Sequence, residues 1–255
     1  LVVDDASTDE TPAVLAQIAK SDPRVRCLRL PQPSGAPAAR NEALRQAKGR
    51  FVTGIDDDDE MLPGRIAALV AAFEHRYEFV CSGAYIDRGA WRRPSRNSRL
   101  EITLDMELYR DEVGTQILTL KERMYAAGLF DEQMPASQDY DMWTRLLAHG
   151  GTALRIAEPT YVAHIDPERR RISDRGADGA KRYLAKHGAM MNSRQRTLHR
   201  LKIFMLDRRR MTLSDATSFL TRDTWKDVAR YLVTSNVPAL RRLGDCYRRW
   251  RWSTR

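Results

Sequence analysis

Phe51-Val52-Thr53-Gly54-Ile55-Asp56-Asp57-Asp58-Asp59 is the stretch on which the fold turns. Five residues of strand composition run directly into four carboxylates. β-Branched and aromatic residues favour extended backbone. Four adjacent acids repel one another unless water or a cation offsets them. The stretch therefore reads as a strand that ends at an acidic rim. The same pattern opens the chain, where Val2-Val3 runs into Asp4-Asp5. Ligands of open α/β sheets sit beyond the carboxyl ends of the strands, so two acidic strand ends together mark a site better than either alone.

Outward from this stretch, strands and helices alternate. Ser7-Thr8-Asp9 offers helix N-caps and Pro12 suits a first turn. Val14, Leu15 and Ile18 predict an apolar face on that helix through Lys20. Residues 25–30 read as a strand and 31–35 as a loop; a helix is expected over 37–48, stopped by Gly49. Pro63 opens another helix, with Ile66, Leu69, Val70 and Phe73 on its apolar side, and 79–86 is a further strand. This order predicts an α/β fold with an open sheet. Residues 91–99 read as a basic loop, 115–120 as a strand and 121–127 as a helix ending at Gly128. Residues 139–149 form a short helix that turns Met142, Trp143, Leu146 and Leu147 inward. Residues 154–157 and 161–165 are short extended pieces, and the chain from Gly176 onward is helical and basic.

Composition sets the class. The chain has 255 residues, 42% hydrophobic and 30% charged, which suits a folded soluble domain with an appendage. Its apolar stretches fall far short of the ~18 residues that cross a bilayer. Cys27, Cys81 and Cys246 are too few and too scattered for a disulfide framework or a zinc site, which suits a reducing, cytoplasmic setting. The net charge of +9 is uneven: residues 181–255 carry 19 Lys and Arg against five Asp, or +14, and the rest stands at −5. The first residue is Leu, inside an apparent strand, so a preceding piece of the protein is expected.

Hard divalent cations take oxygen ligands, and magnesium commonly uses one or two carboxylates plus substrate phosphates. Asp56 to Asp59 suit that role; a solvated acidic turn ahead of the helix at Pro63 is the plainer alternative. Asp4 and Asp5 exceed what a helix cap needs, and a carboxylate there can accept from a base N–H or ribose hydroxyls.

Three segments occur in order: "VVDDASTDET" (1 residue in from the start), "SGAPAARNEALRQAKGRFVTGIDDDDEMLP" (34–63) and "GLFDEQMPASQDYDMWTRLL" (128–147). Together they resemble the family 2 glycosyltransferases, whose fold is GT-A, an open mixed sheet flanked by helices. The resemblance covers residues 1 to about 175. It implies a GT-A domain over 1–175, lacking its first strand and helix, and a basic helical extension over 176–255. It implies base and donor contacts at Asp4, Asp5, Ser7 and Arg40, ribose contact at Asp56 with Asp57 beside it, and a metal at Asp58. Asp57 and Asp59 leave the register of that set open by one residue. The acceptor motif usually reads Glu-Asp-aromatic; Gln138 replaces the Glu, and Asp139 is retained as the catalytic base. His164 is a further metal candidate, and Arg169-Arg170-Arg171 a loop over the donor phosphates. The family's processive Gln-x-x-Arg-Trp element does not occur, which favours transfer of a single sugar.

The implied reaction is inverting transfer from a nucleotide-diphosphate sugar, a UDP-sugar in the first instance, with Mn or Mg, to a saccharide or lipid-linked saccharide in surface polysaccharide, lipopolysaccharide or glycolipid synthesis. Arg208-Arg209-Arg210 and Tyr247-Arg248-Arg249-Trp250-Arg251-Trp252 mix cations with aromatics, as suits an anionic membrane surface. A peripheral place on the inner face of the cell membrane is therefore expected, and nucleic acid is the less favoured partner. Two other classes stay open: a metal-dependent nucleotidyltransferase, which also places carboxylates at strand ends, and a non-catalytic membrane- or nucleic-acid-binding module.

Overall fold

The computed structural model describes residues 1–114, 116–165 and 175–237. It begins with β1 (Val2–Asp4), α1 (Thr11–Ser21), β2 (Cys27–Arg29), α2 (Ala36–Gln46), β3 (Phe51–Thr53), β4 (Glu60–Met61), α3 (Arg65–Ala72) and the long β5 (Tyr77–Asp87). Then come β6 (Arg92–Ser95), β7 (Leu100–Ile102), α4 (Leu104–Tyr109), β8 (Leu118–Leu120), α5 (Lys121–Ala126), α6 (Gln138–Leu147) and β9 (Thr152–His164). The described chain ends in α7 (Gly176–His187), α8 (Ser193–Leu206), α9 (Leu213–Phe219) and α10 (Trp225–Asn236).

The main sheet runs β3-β8-β5-β9-β4, with β6 on β5 and β7 on β9; β1 and β2 form a separate parallel pair. β8 is antiparallel to β3 and to β5, and β5 is parallel to β9. Hence β3, β5 and β9 all end at one edge of the sheet, the edge that carries Asp56, Asp87 and His164. The α/β class and the acidic rim follow the sequence; the sheet is mixed.

Strand alternation explains the layers. Phe79 and Cys81 of β5 meet Met142, Trp143, Leu146 and Leu147 of α6 on one face. Val80, between them, packs with Leu69 of α3, Leu118 and Leu154 on the other. Both faces are covered, so β5 is buried almost throughout.

Several local expectations change. Ile66 and Val70 are exposed, and α3 instead turns Arg65 inward to 1% exposure. Its guanidinium donates to Ser82 Oγ (2.7 Å), Thr160 Oγ1 (2.9 Å) and the Gln116 carbonyl (2.6 Å), and lies 5.0 Å from the Tyr161 ring centroid. A buried charge needs such acceptors, and their position fixes how the helix is rotated. α1 buries none of its residues, and Val14 and Ile18 are exposed, because the two-stranded β1–β2 pair offers little surface to cover them. Its N-cap is Glu10, without a side-chain cap bond; Asp9 accepts from the Thr11 amide instead. α2 ends at an extended Ala47, ahead of Gly49. The basic stretch after Trp91 is a strand, not a loop: β6 pairs with β5 from Ala84↔Ser95 to Asp87↔Arg92. Its exposed arginines and Pro94 mark an edge strand, which lacks the apolar alternation of a core one. The two late extended pieces are one strand, β9, with a register shift opposite Ser82/Ala84 near Pro159.

Of the helices from Gly176 onward, α7 lies against α6, and α8, α9 and α10 share a separate apolar cluster. Tyr183 of α7 stacks on Tyr140 of α6 with centroids 4.0 Å apart, in a cluster with Leu108, Met134 and Met191. Beneath the stack, the fully buried Asp141 accepts from His187 Nε2 (2.8 Å), Lys186 Nζ (2.9 Å) and Arg145 Nε (2.9 Å). Arg169 to Arg171 and the aromatic-basic stretch 247–252 lie outside the described residues.

Burial opposes ionisation of Asp141, but the His187 and Lys186 hydrogen bonds and the Arg145 charge outweigh it and hold the carboxyl at about 2. A depressed carboxyl stabilises the fold fully above its unfolded value near 4 and loses that contribution as pH falls toward 2. Asp141→Asn is expected to lower unfolding free energy by about 2–4 kcal/mol at neutral pH, and its deficit relative to the parent should shrink between pH 4 and 2. Denaturant melts of both proteins across that window check this.

Candidate active site

The four aspartates fold into a tight turn. The Asp59 amide donates to the Asp56 carbonyl at 3.1 Å, an i to i+3 bond that reverses the chain after β3. The turn sends its carboxylates in different directions. Asp56 faces α2 and α6, Asp57 is exposed, and Asp59 faces β9, where it accepts from the His164 amide at 3.0 Å. Tyr161 of β9 braces the turn by accepting from the Asp56 amide at 3.3 Å.

Arg40, on α2, joins the two ends of the site. Its Nη2 donates to Asp56 Oδ1 at 2.5 Å and its Nη1 to Asp139 Oδ1 at 2.8 Å, and the guanidinium carbon lies 5.5 Å from the Phe130 ring centroid. Gln116, 4% exposed, donates from Nε2 to Asp56 Oδ1 (3.1 Å) and Asp139 Oδ2 (3.5 Å). Asp139 lies in the first turn of α6, where the helix dipole favours a carboxylate. Ser137, the N-cap, adopts a left-handed φ of 59° without a capping bond, so Asp139 does not cap the helix. Burial raises the Asp139 carboxyl to about 6; Arg40 opposes that rise, and Asp56 and Asp111 add to it.

The residues after β1 form a second group. Asp4, 5% exposed, accepts from the Ser7 amide (2.9 Å) and pairs with Arg29 (2.5 Å). The Ser7 bonds, with Arg29 adding to them, outweigh the opposing effect of burial and hold its carboxyl below the usual range. Asp5 accepts from the amides of Ser34 (2.6 Å) and Gly35 (2.8 Å), so it anchors the loop that starts α2. Ser7 uses its carbonyl to accept from Arg29. Asp4 and Ser7 thus hold the end of β1 to β2, and Asp5 ties it to the loop before α2.

His164 stands at the end of β9 beside the turn, and its Nε2 lies 2.8 Å from Glu60 Oε1. Among the described residues, no three His, Cys, Asp or Glu side chains converge as a closed metal cage. A structural zinc site is therefore a poor fit. A hard cation that keeps one or two carboxylates and takes its other ligands from a diphosphate is a good one. Burial, with Asp56 and Asp58 adding to it and the Tyr161 and His164 bonds opposing, raises the Asp59 carboxyl to about 6.

The structure brings Arg40, Asp56 and Asp139 together from sites 16 and 99 residues apart in sequence. Gln116, Tyr161 and Arg65 had no motif to mark them. Glu60 was legible as one more acid beyond the run of four, and Gly54 as a glycine inside a strand pattern, which flags a close approach.

The sequence matches the model of glycosyl transferase family 2 over residues 1–132. A putative colanic acid biosynthesis glycosyl transferase of Escherichia coli (strain K12), WcaA, is 29% identical over 222 residues, covering 83% of this chain and 78% of the relative. The chain spans 51% and 64% of the lengths of two further curated relatives. Among solved structures, Staphylococcus aureus TarS 1–349 in complex with UDP superposes with a TM-score of 0.59 at 17% identity, over 94% of this chain and 72% of that one. The mannosyltransferase PcManGT of Pyrobaculum calidifontis, in complex with GDP-Man and Mn2+, gives 0.54 at 18% identity, over 98% and 70%. No helix among the described residues is long and apolar enough to cross a membrane. With its GT-A sheet and its motifs in place, the chain belongs to glycosyl transferase family 2.

Proposed function

We propose that the protein transfers one sugar, with inversion, from a nucleotide-diphosphate sugar to a hydroxyl of a saccharide or lipid-linked saccharide in surface polysaccharide synthesis. The observation that carries this reading is the Arg40 bridge, which sets a donor-side carboxylate and an acceptor-side carboxylate in one cleft. UDP in TarS and GDP-Man with Mn2+ in PcManGT support a nucleotide donor and a divalent ion here. UDP is the first donor to test.

In this reading Asp4, Asp5 and Ser7 border the base, Asp56 and Asp57 the ribose, and Arg40 the donor between them. Asp58, with His164 as a further candidate, would hold the metal. Bound there, Mn or Mg would offset charge on the leaving diphosphate. Asp139 takes the proton of the acceptor hydroxyl. The freed oxygen bonds to the anomeric carbon on the side opposite the nucleotide, and the bond to the diphosphate oxygen breaks with its electron pair. A single base suffices because no glycosyl-enzyme forms.

The base must be ionised, and its carboxyl lies at about 6. Turnover is therefore expected to rise tenfold per pH unit below about 6 and to level off above it. Asp139→Asn should lower kcat by about 100-fold or more and remove that rise, while UDP affinity by calorimetry is kept. Parallel loss of UDP affinity would contradict the role of base.

Arg208, Arg209 and Arg210 are exposed, and the sequence beyond them adds further arginines and tryptophans. Such a tail suits anionic headgroups and would hold the protein peripherally on a membrane that presents lipid-linked acceptors. Flotation with phosphatidylserine vesicles should carry the protein up at low salt and release it at high salt. Flotation insensitive to salt, or none, would remove the membrane proposal.

A further inference from the structure

Gln116 is absent from the motifs, yet its carboxamide touches both working carboxylates. We propose that Gln116 is a positioning residue for the transfer: it ties the donor-side Asp56 to the acceptor-side Asp139 and fixes the plane of the base. The inference rests on the reading of Asp139 as base.

Hydrogen-bonding chemistry settles how the carboxamide sits. Both neighbours are carboxylates, which only accept when ionised, so the nitrogen faces them and its two hydrogens can serve one each. Asp139 then receives a donor on either oxygen, Arg40 on Oδ1 at 2.8 Å and Gln116 on Oδ2 at 3.5 Å. Two donors on different oxygens fix the rotation of the carboxylate, which one donor leaves open. The choice of a neutral donor has a reason. Arg40 already sets one positive charge against two negative ones. A second cation at 116 would depress the basicity of Asp139, and a carboxylate would repel it. An amide orients without either effect.

Two independent features hold the amide in place. The Gln116 carbonyl accepts from the buried Arg65 guanidinium at 2.6 Å, so its main chain is fixed to the sheet interior. On its other side, a Cβ added at Gly54 would stand 2.9 Å from Gln116 Oε1. The strand that delivers the acidic turn is therefore bare where the carboxamide passes. Gly54 does not need a left-handed backbone, so an alanine there is compatible with the fold and would displace the end of the Gln116 side chain.

The test needs no knowledge of the natural substrates. Carboxyl carbon NMR follows the titration of Asp139, assigned by its absence in Asp139→Asn. The parent midpoint is expected near 6. Loss of a hydrogen bond to the ionised form should raise it, by about one pH unit in Gln116→Leu and by less in Gly54→Ala, with Gln116→Glu moving it furthest. UDP release from UDP-glucose with manganese should fall roughly 10- to 100-fold in kcat in Gln116→Leu, since small misplacements are costly, with calorimetric UDP affinity kept within about threefold. Gln116→Leu and Gly54→Ala that both titrate like the parent would overturn the proposal, as would a matching loss of UDP affinity. An Asp139→Asn that turns over like the parent would remove the base reading and this inference with it; an inactive Asp139→Asn beside an unaffected Gln116→Leu would overturn this inference alone.

Discussion

One guanidinium organises this site. Arg40 projects from α2 between the acidic turn after β3 and the first turn of α6, and donates to both. At an effective dielectric constant near 20, a contact of this kind is worth a few kcal/mol before desolvation is charged against it. Asp56 and Asp139 each bring a negative charge to a partly dry cleft, and without Arg40 they would repel. The fork makes their approach favourable and leaves the three groups with a net negative charge.

The rest of the fold serves this meeting. α2 can present Arg40 because Asp5 fixes the Ser34-Gly35 entry to the helix and Asn41 is bonded to Phe130 and Glu132 on the far side. α6 can present Asp139 because its buried apolar side grips β5 and its Asp141 is locked to α7. The turn can present Asp56 because Tyr161 holds its backbone, and Arg65 underlies both Tyr161 and Gln116. Of the helices from Gly176 onward, α7 thus bears on α6 itself, through the Tyr140–Tyr183 stack.

Much of this was legible in the sequence, for physical reasons. Phe51 to Asp59 announced a strand ending in charge because apolar and acidic residues cannot share an environment. The inward face of α6 followed from its periodicity, and Gly128 ended α5 as expected, with a positive φ of 84°. What escaped was polar burial. Arg65 carried no signal of burial in the sequence, because three acceptors drawn from β5, β9 and the strand-leading loop hold it inside and none of them is its neighbour along the chain. Gln116 carried no signal, since a lone glutamine has no pattern and its partners lie 60 and 23 residues away. β6 was hidden because an edge strand of arginines and a proline lacks alternation. The nucleotidyltransferase and binding-module alternatives shared the acidic strand ends, and family membership, not those ends, sets them aside.

In the proposed function the acidic turn is the donor site, bounded by Asp139 on the acceptor side. Crystals of the full chain grown with UDP and manganese, with data collected at the manganese absorption edge, address it directly. An anomalous peak is expected beside the Asp58 carboxylate and against the diphosphate, with the ribose at Asp56, and with Asp139 facing the vacant position of the sugar. A manganese peak remote from residues 56–59, or UDP seated away from both Asp5 and Asp56, would contradict it.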